Sequence, residues 1–317
     1  MSNEYSIPST IDTVVLTTSL ADYRKTLTDN VYNQNVLLSQ LNSKAKRMVN
    51  GGNSIVELLV KAKQDDGGFY LGADVLNNTQ GNDTTQCEFK WQNAYEPITI
   101  TRDEERQNSG DMHKIIDLAA TKTSLSEKAM GDRMDQALSI DVSEANNLYS
   151  IASIVATGTL GTIAGATQTF WQATNTTSGA FATQGLTDMT TATYTVASSA
   201  TDDTPNMYIT TKTIFQKFEQ TRLPLERISN GDLSANAGFR NLTFKGIPVV
   251  YGNNIGSGLI YGLNLNYLSL VVDTATDMVT TPFISPSNQT VKVAYILWRG
   301  ALTTNNRRRH FKLSSVS

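Results

Sequence analysis

Cysteine is almost missing from this chain: Cys87 is the only one in 317 residues. A single thiol closes no intramolecular disulfide, so stability must come from packing and assembly, and a reducing compartment fits. Histidine is nearly as scarce. His113 and His310 are the only two, and neither stands in a metal-ligand spacing such as His-Glu-x-x-His. Charge is weak as well, with a formal net value of -3 and a pI near 5.5, which leaves no electrostatic footprint for nucleic acid and no polybasic membrane patch. Long apolar runs are absent. Residues 148–166 come nearest to a membrane span, but their serines, threonines and three glycines exclude one. No charged residue occurs from 145 to 187, which marks interior or contact chain. Met1-Ser2-Asn3-Glu4 opens no basic region followed by an apolar one, so no signal peptide is expected and the cytoplasm is the expected compartment.

What is present begins with a two-stranded ribbon. The first strand is expected over 54–63, with Val56, Leu58, Val60 and Ala62 on one face and Ile55, Glu57 and Leu59 on the other. The second is expected over 86–101, with Cys87, Phe89 and Trp91 sharing a face and a register shift at Glu96-Pro97. Between them lie two turn-rich stretches, Asp65-Asp66-Gly67-Gly68 and Asn77 to Asp83. An isolated ribbon is marginal in water and its open edges template pairing with other chains, so this one is expected to pack on a neighbour. A hairpin folded back on its own domain is the alternative.

An amphipathic helix is expected from Ser19 to about Asn42, and a long one from near Ser109 or Asp111 to about Leu138. From Met112 to Leu138 the second would span roughly 40 Å at the standard rise, which makes it a strut. Beyond Gly185 the pattern turns α/β. Helices are expected over 187–198 and 212–219, and strands over 204–210, 244–251, 258–263, 268–272 and 291–302.

No catalytic constellation survives inspection. Cys87 alternates with aromatics on a strand and reads as a small packing residue, and His113 as a solvated or interface residue. The glycine-rich run at 158–165 lacks the Lys-Ser/Thr ending of a phosphate loop. Asp103-Glu104-Glu105 is followed at once by Arg106 and reads as a surface ion-pair cluster rather than a paired-carboxylate site. Neither a metal nor a cofactor is expected. Arg307-Arg308-Arg309, with Lys312, reads as a subunit contact ahead of a DNA-facing patch or a solvated end. Lys44, Lys46 and Arg47 carry the same ambiguity.

Taken in order, several segments resemble a known family. They are 20–41 with Gly51-Gly52, 91–110, Gly161-Thr162-Ile163-Ala164-Gly165 to Phe170-Trp171, 205–218, Gly246-Ile247-Pro248-Val249-Val250, Tyr261-Gly262-Leu263-Asn264 and Asn305-Asn306-Arg307-Arg308-Arg309. The chain resembles a tailed-bacteriophage major capsid protein of the Hong-Kong-97-type fold, without an internal scaffolding domain. The resemblance implies an α+β fold with five parts. Residues 1–50 would be the N-terminal arm and 51–101 the extended β-hairpin called the E-loop. Residues 102–145 would be the P-domain with its long spine helix, 146–281 an α/β A-domain, and 282–317 strands returning to both domains.

It also implies a structural, non-enzymatic protein that assembles through pentamers and hexamers into an icosahedral shell around double-stranded DNA, without sequence-specific binding and without a membrane. A separate scaffolding protein and a portal are the implied partners, a decoration protein an optional one, and the virion the implied location, with assembly in the host cytoplasm. The expected inter-subunit contacts are Val56, Leu58, Val60, Phe89, Trp91, Arg307, Arg308 and Arg309. The rival reading is a β-rich phage tail or adhesion protein, suggested by the Thr/Asn/Ser-rich middle.

Overall fold

The computed structural model describes residues 35–63, 67–76, 81–108, 118–140, 148–197, 203–229, 242–287 and 289–317. They begin with α1 (Val36–Lys44), β1 (Lys46–Val49) and the ribbon strands β2 (Ser54–Val60) and β3 (Thr84–Lys90). Next come β4 (Gln92–Thr101), α2 (Arg102–Asn108), the long α3 (Leu118–Ser139) and the single turn α4 (Ile151–Ile154). The rest is β5 (Thr174–Thr177), α5 (Leu186–Val196), β6 (Met207–Thr210), α6 (Lys212–Ser229), β7 (Thr243–Phe244), β8 (Ile247–Tyr251), β9 (Ile260–Leu263), β10 (Leu268–Asp273), β11 (Val279–Thr280), β12 (Val291–Thr304) and β13 (Phe311–Ser314).

Two compact units result, the smaller from 95–130 and 280–297 and the larger from 34–94, 131–279 and 298–317 of the described chain. The division falls within β4, α3 and β12. In the smaller unit β4 pairs with β12, and Ile98 and Ile100 are buried. There α2 starts with a reciprocal cap: Thr101 Oγ1 accepts from Glu104 N at 3.3 Å, and Glu104 Oε2 accepts from Thr101 N at 2.9 Å. Lys122 of α3 closes on both Glu104 oxygens at 2.7 and 2.8 Å and on the Thr99 carbonyl at 3.0 Å.

The larger unit is organised by a six-stranded sheet in the order β5-β13-β9-β6-β8-β7. β6 and β9 are buried on every residue, as expected of strands covered on both faces. Tyr208, Phe244 and Phe311 cross ring edges on this sheet beneath Phe218 of α6 and Val196 of α5. Five threonines make α5 a poor helix by propensity. It forms because Met189, Ala192 and Val196 fill the core, and the hydroxyls of Thr190, Thr191, Thr193 and Thr195 are each satisfied by donating to the carbonyl four residues back. β1 runs parallel to β10, which pairs antiparallel with the second half of β12.

Several sequence expectations need correction. The break in the second ribbon strand falls at Trp91, not at Glu96-Pro97, and it separates β3 from β4, which join different sheets. Most of the first expected helix lies outside the described residues, as do the expected start of the long helix and His113. β1, β5 and β13 were not expected. Each has four residues, too few to show a period of two among polar neighbours.

Candidate functional site

The register of the ribbon assigns its faces. Ser54 opposes Lys90 and Val60 opposes Thr84, so the pairs Ile55–Phe89, Glu57–Cys87 and Leu59–Thr85 share one face, and Val56–Glu88, Leu58–Gln86 and Val60–Thr84 the other. The first face is closed: Ile55, Leu59, Cys87 and Phe89 are buried. The second is open, with Leu58 81% exposed, Val60 74% and Val56 45%. An open groove of about 510 Å³ runs along Leu58, Leu59, Val60, Thr84, Thr85 and Gln86. Past the strands, Phe69, Tyr70, Leu71, Val75 and Leu76 are all exposed. The tip that reads as polar and glycine-rich therefore carries five exposed apolar side chains, and the run Phe69-Tyr70-Leu71 between two glycines is the sequence signal for them.

The eight residues expected to contact a neighbour separate accordingly. Val56, Leu58 and Val60 stand on the open face. Phe89 does not, because it is fully buried and meets Tyr149 edge-on at 5.4 Å between ring centroids. Trp91 is half-buried at the ribbon root, with the Arg299 guanidinium 5.0 Å over its ring. Arg308 is exposed. Arg309 is half-buried, donating to the Val196 carbonyl at 2.8 Å and facing Asp203 at 3.7 Å.

Arg307 is the clearest departure from expectation, for it is wholly buried in its own chain. It sits in a short turn, Arg307–Arg309, ahead of β13. Its Nε donates to the Ile154 carbonyl at 2.8 Å, Nη1 to Gly158 at 2.8 Å and Trp171 at 2.9 Å, and Nη2 to Ser153 at 3.0 Å and Ala156 at 2.6 Å. All five donors of the guanidinium are met by main-chain oxygens. Desolvation lowers its pKa to about 10, so it remains a cation at neutral pH. The signal for this cage is the charge-free stretch 145–187, which supplies the oxygens and leaves the positive charge to come from elsewhere.

The caged segment carries the root of the ribbon. Leu160 and Ile163 form a two-residue bridge with Gly161 between them at φ +61°, where a Cβ would stand 2.5 Å from Cys87 Sγ and 2.7 Å from the Glu88 carbonyl. Glu88 N donates to Thr162 Oγ1 at 3.1 Å, and Trp171 Nε1 to the Leu160 carbonyl at 3.2 Å. Burial pushes the Cys87 thiol up, which keeps it protonated and inert. His310, beside this cage, is buried too. Its Nδ1 accepts from Asn264 N at 3.2 Å, and desolvation, helped by Arg307, lowers its pKa to about 3. Among the described residues no group of three His, Cys, Asp or Glu side chains could hold a metal ion, and no helix is long and apolar enough to cross a membrane.

No protein-family model matches the sequence, and no curated protein matches it either. Solved structures do match, at low identity and over nearly the whole chain. The capsid asymmetric unit of cyanophage A-1(L) superposes with a TM-score of 0.72 at 16% identity, covering 96% of this chain and 99% of that one. The capsid of a native GTA particle gives 0.64 at 10% identity, with coverages of 94% and 96%. The SrpI encapsulin complex of Synechococcus elongatus gives 0.60 at 12% identity, with coverages of 96% and 95%. The shared property is the fold, and this chain has the α+β fold of Hong-Kong-97-type phage capsid proteins.

Proposed function

We propose that the chain is the repeating subunit of a phage head: a non-catalytic protein that closes through pentamers and hexamers into an icosahedral shell around double-stranded DNA. The observation that carries this reading is the open ribbon face of Val56, Leu58 and Val60, beside the exposed Phe69, Tyr70, Leu71, Val75 and Leu76 farther along the hairpin. Exposed apolar side chains lined up on one face of a two-stranded element mark an interface with another chain. Burial returns about 25 cal/mol per Å² of apolar area, so one such contact per subunit, repeated around closed rings, makes a durable shell. The fold shared with capsid structures supports the same reading.

In this reading residues 51–101 are the E-loop, 102–145 the P-domain, 146–281 the A-domain and 282–317 the returning strands, with 1–50 as the arm. A scaffolding protein and a portal act during assembly in the host cytoplasm, a decoration protein binds outside where one exists, and the mature location is the virion. The encapsulin likeness makes the shell's contents a question for experiment, answered by nuclease-protected DNA recovered from purified particles.

The direct test of the interface is the double variant Leu58→Asp, Val60→Asp. Both positions are exposed in the subunit, so its unfolding free energy should move by no more than about 0.5 kcal/mol. Shell formation should be lost. Normal shells from this variant would overturn the assignment of the ribbon face.

A further inference from the structure

Arg307 and the ribbon never touch through a hydrogen bond, yet one segment lies between them and holds both. On one side, the guanidinium gathers the carbonyls of Ser153, Ile154, Ala156, Gly158 and Trp171. On the other, Gly161 and Thr162 of the same segment seat Cys87 and Glu88 of β3. Its other ties are local: Ser150 and Ser153 cap each other reciprocally, and Ile154 N and Val155 N bond the Ser150 and Ile151 carbonyls. Trp171 and Gln172 donate side-chain N–H groups to the Leu160 and Gly165 carbonyls, and Ala173 N bonds the Ala156 carbonyl.

We propose that Arg307 is the positioning residue for the ribbon, fixing the path of residues 153–163 and through them the angle at which β2 and β3 sit on the rest of the larger unit. The chemistry is particular to arginine. Five oxygens, four from residues 153–158 and one from Trp171, converge on one planar fork, whereas a lysine ammonium offers three donors from a single nitrogen and cannot span them. The coupling to β3 is steric as well as polar. Gly161 lies so close to Cys87 Sγ and the Glu88 carbonyl that the segment cannot shift toward the strand without moving it. Leverage adds to this, because β2 runs three residues past Glu57, the partner of Cys87, roughly 10 Å at the strand rise, so a few degrees at Gly161 become about an ångström at Val60. The consequence for assembly rests on reading the ribbon as a subunit contact; the positioning itself does not.

Hydrogen exchange by mass spectrometry on the full-length, unassembled subunit tests it, comparing wild type, Arg307→Lys, Thr162→Val and the double variant. In Arg307→Lys the amides of Thr84–Lys90 should exchange roughly tenfold faster while those of β6 and β9 stay within about twofold of wild type. Thr162→Val, at an exposed side chain, should free the same strand, and the double variant should exchange no faster there than Arg307→Lys alone, because both act through one segment. Equal acceleration of β6 and β9 would mean that Arg307 supports the whole fold, and additive effects or wild-type ribbon rates would break the link; each overturns the proposal. Should Arg307→Lys fail to fold, Thr162→Val must still release β3 and Thr162→Ser must restore it, or the proposal falls. The readout precedes assembly, so a chain that forms no shells leaves it intact.

Discussion

Asp135 of α3 accepts the main-chain N–H of Leu38 at 3.2 Å, across 97 residues of sequence. Leu38 is the third residue of α1, and Asn35, the residue ahead of that helix, makes no side-chain cap of its own. The carboxylate therefore caps α1 from a different helix, placing negative charge at the positive end of its dipole. Its second oxygen accepts from Asn254 Nδ2 at 2.9 Å, and Asp135 is only 4% exposed. Burial raises its pKa, the bonds from Asn254 and Leu38 oppose that, and Asp132 adds to the rise.

Because the folded protein holds the Asp135 proton more tightly than the unfolded chain, the group's stabilising share is complete at acid pH and is lost as pH rises through the raised value. Asp135→Asn is accordingly expected to raise the melting temperature at pH 7. Its Oδ1 still accepts from Leu38, and its Nδ2 can donate to a flipped Asn254 amide. The gain should shrink as pH falls, and thermal melts at pH 7 and pH 4 compare the two.

His310 acts in the opposite direction. Its pKa falls from 6.5 to about 3 on folding, so the unfolded chain takes up the proton first and stability declines as pH drops below 6.5. Between 6.5 and pH 5 the loss from this one group is about 2 kcal/mol. Urea midpoints at pH 7 and pH 5 should show that loss, and His310→Gln, less stable at pH 7, should show little of it.

Glu104 anchors the smaller unit. Burial works to raise its pKa, but Lys122 and the Thr101 amide outweigh it and the net shift is downward. The stability it contributes is present above the ordinary value of 4.5 and lost as pH falls below it. Glu104→Ala should cost about 1 kcal/mol by removing half of the reciprocal cap, measured by urea denaturation at pH 7, with a smaller difference in acid.

Gly161 admits no side chain. Alanine there would adopt a left-handed backbone and press on Cys87 and the Glu88 carbonyl, so Gly161→Ala should destabilise by about 2–4 kcal/mol. Gly158→Ala, three residues earlier with open space around the site, should change little. The pair of denaturation curves separates a steric requirement from mere chain flexibility.

Much of this architecture was legible in the sequence because it is written in long periodic runs. The period-two apolar pattern around Val56–Val60 located β2, and the buried runs of 207–210, 260–263 and 268–273 located β6, β9 and β10. The resemblance to capsid proteins supplied the fold, which the structural likeness bears out. What escaped depends on contacts distant in sequence. Phe89 alternates just as Val56 does, and only the register with β2 and the ring of Tyr149 decide that it faces inward. Arg307, in a run of three arginines, has the pattern of a solvated patch. Its carbonyl partners lie 136 to 154 residues away, and no local rule finds them.

Light scattering of the purified chain across concentration and salt, with negative-stain electron microscopy of the heaviest fraction, tests the central claim most directly. Hollow icosahedral shells, or rings of five and six subunits, are the predicted result. A sharp monomer or dimer under every condition, on co-expression with the scaffolding protein as well, would contradict it.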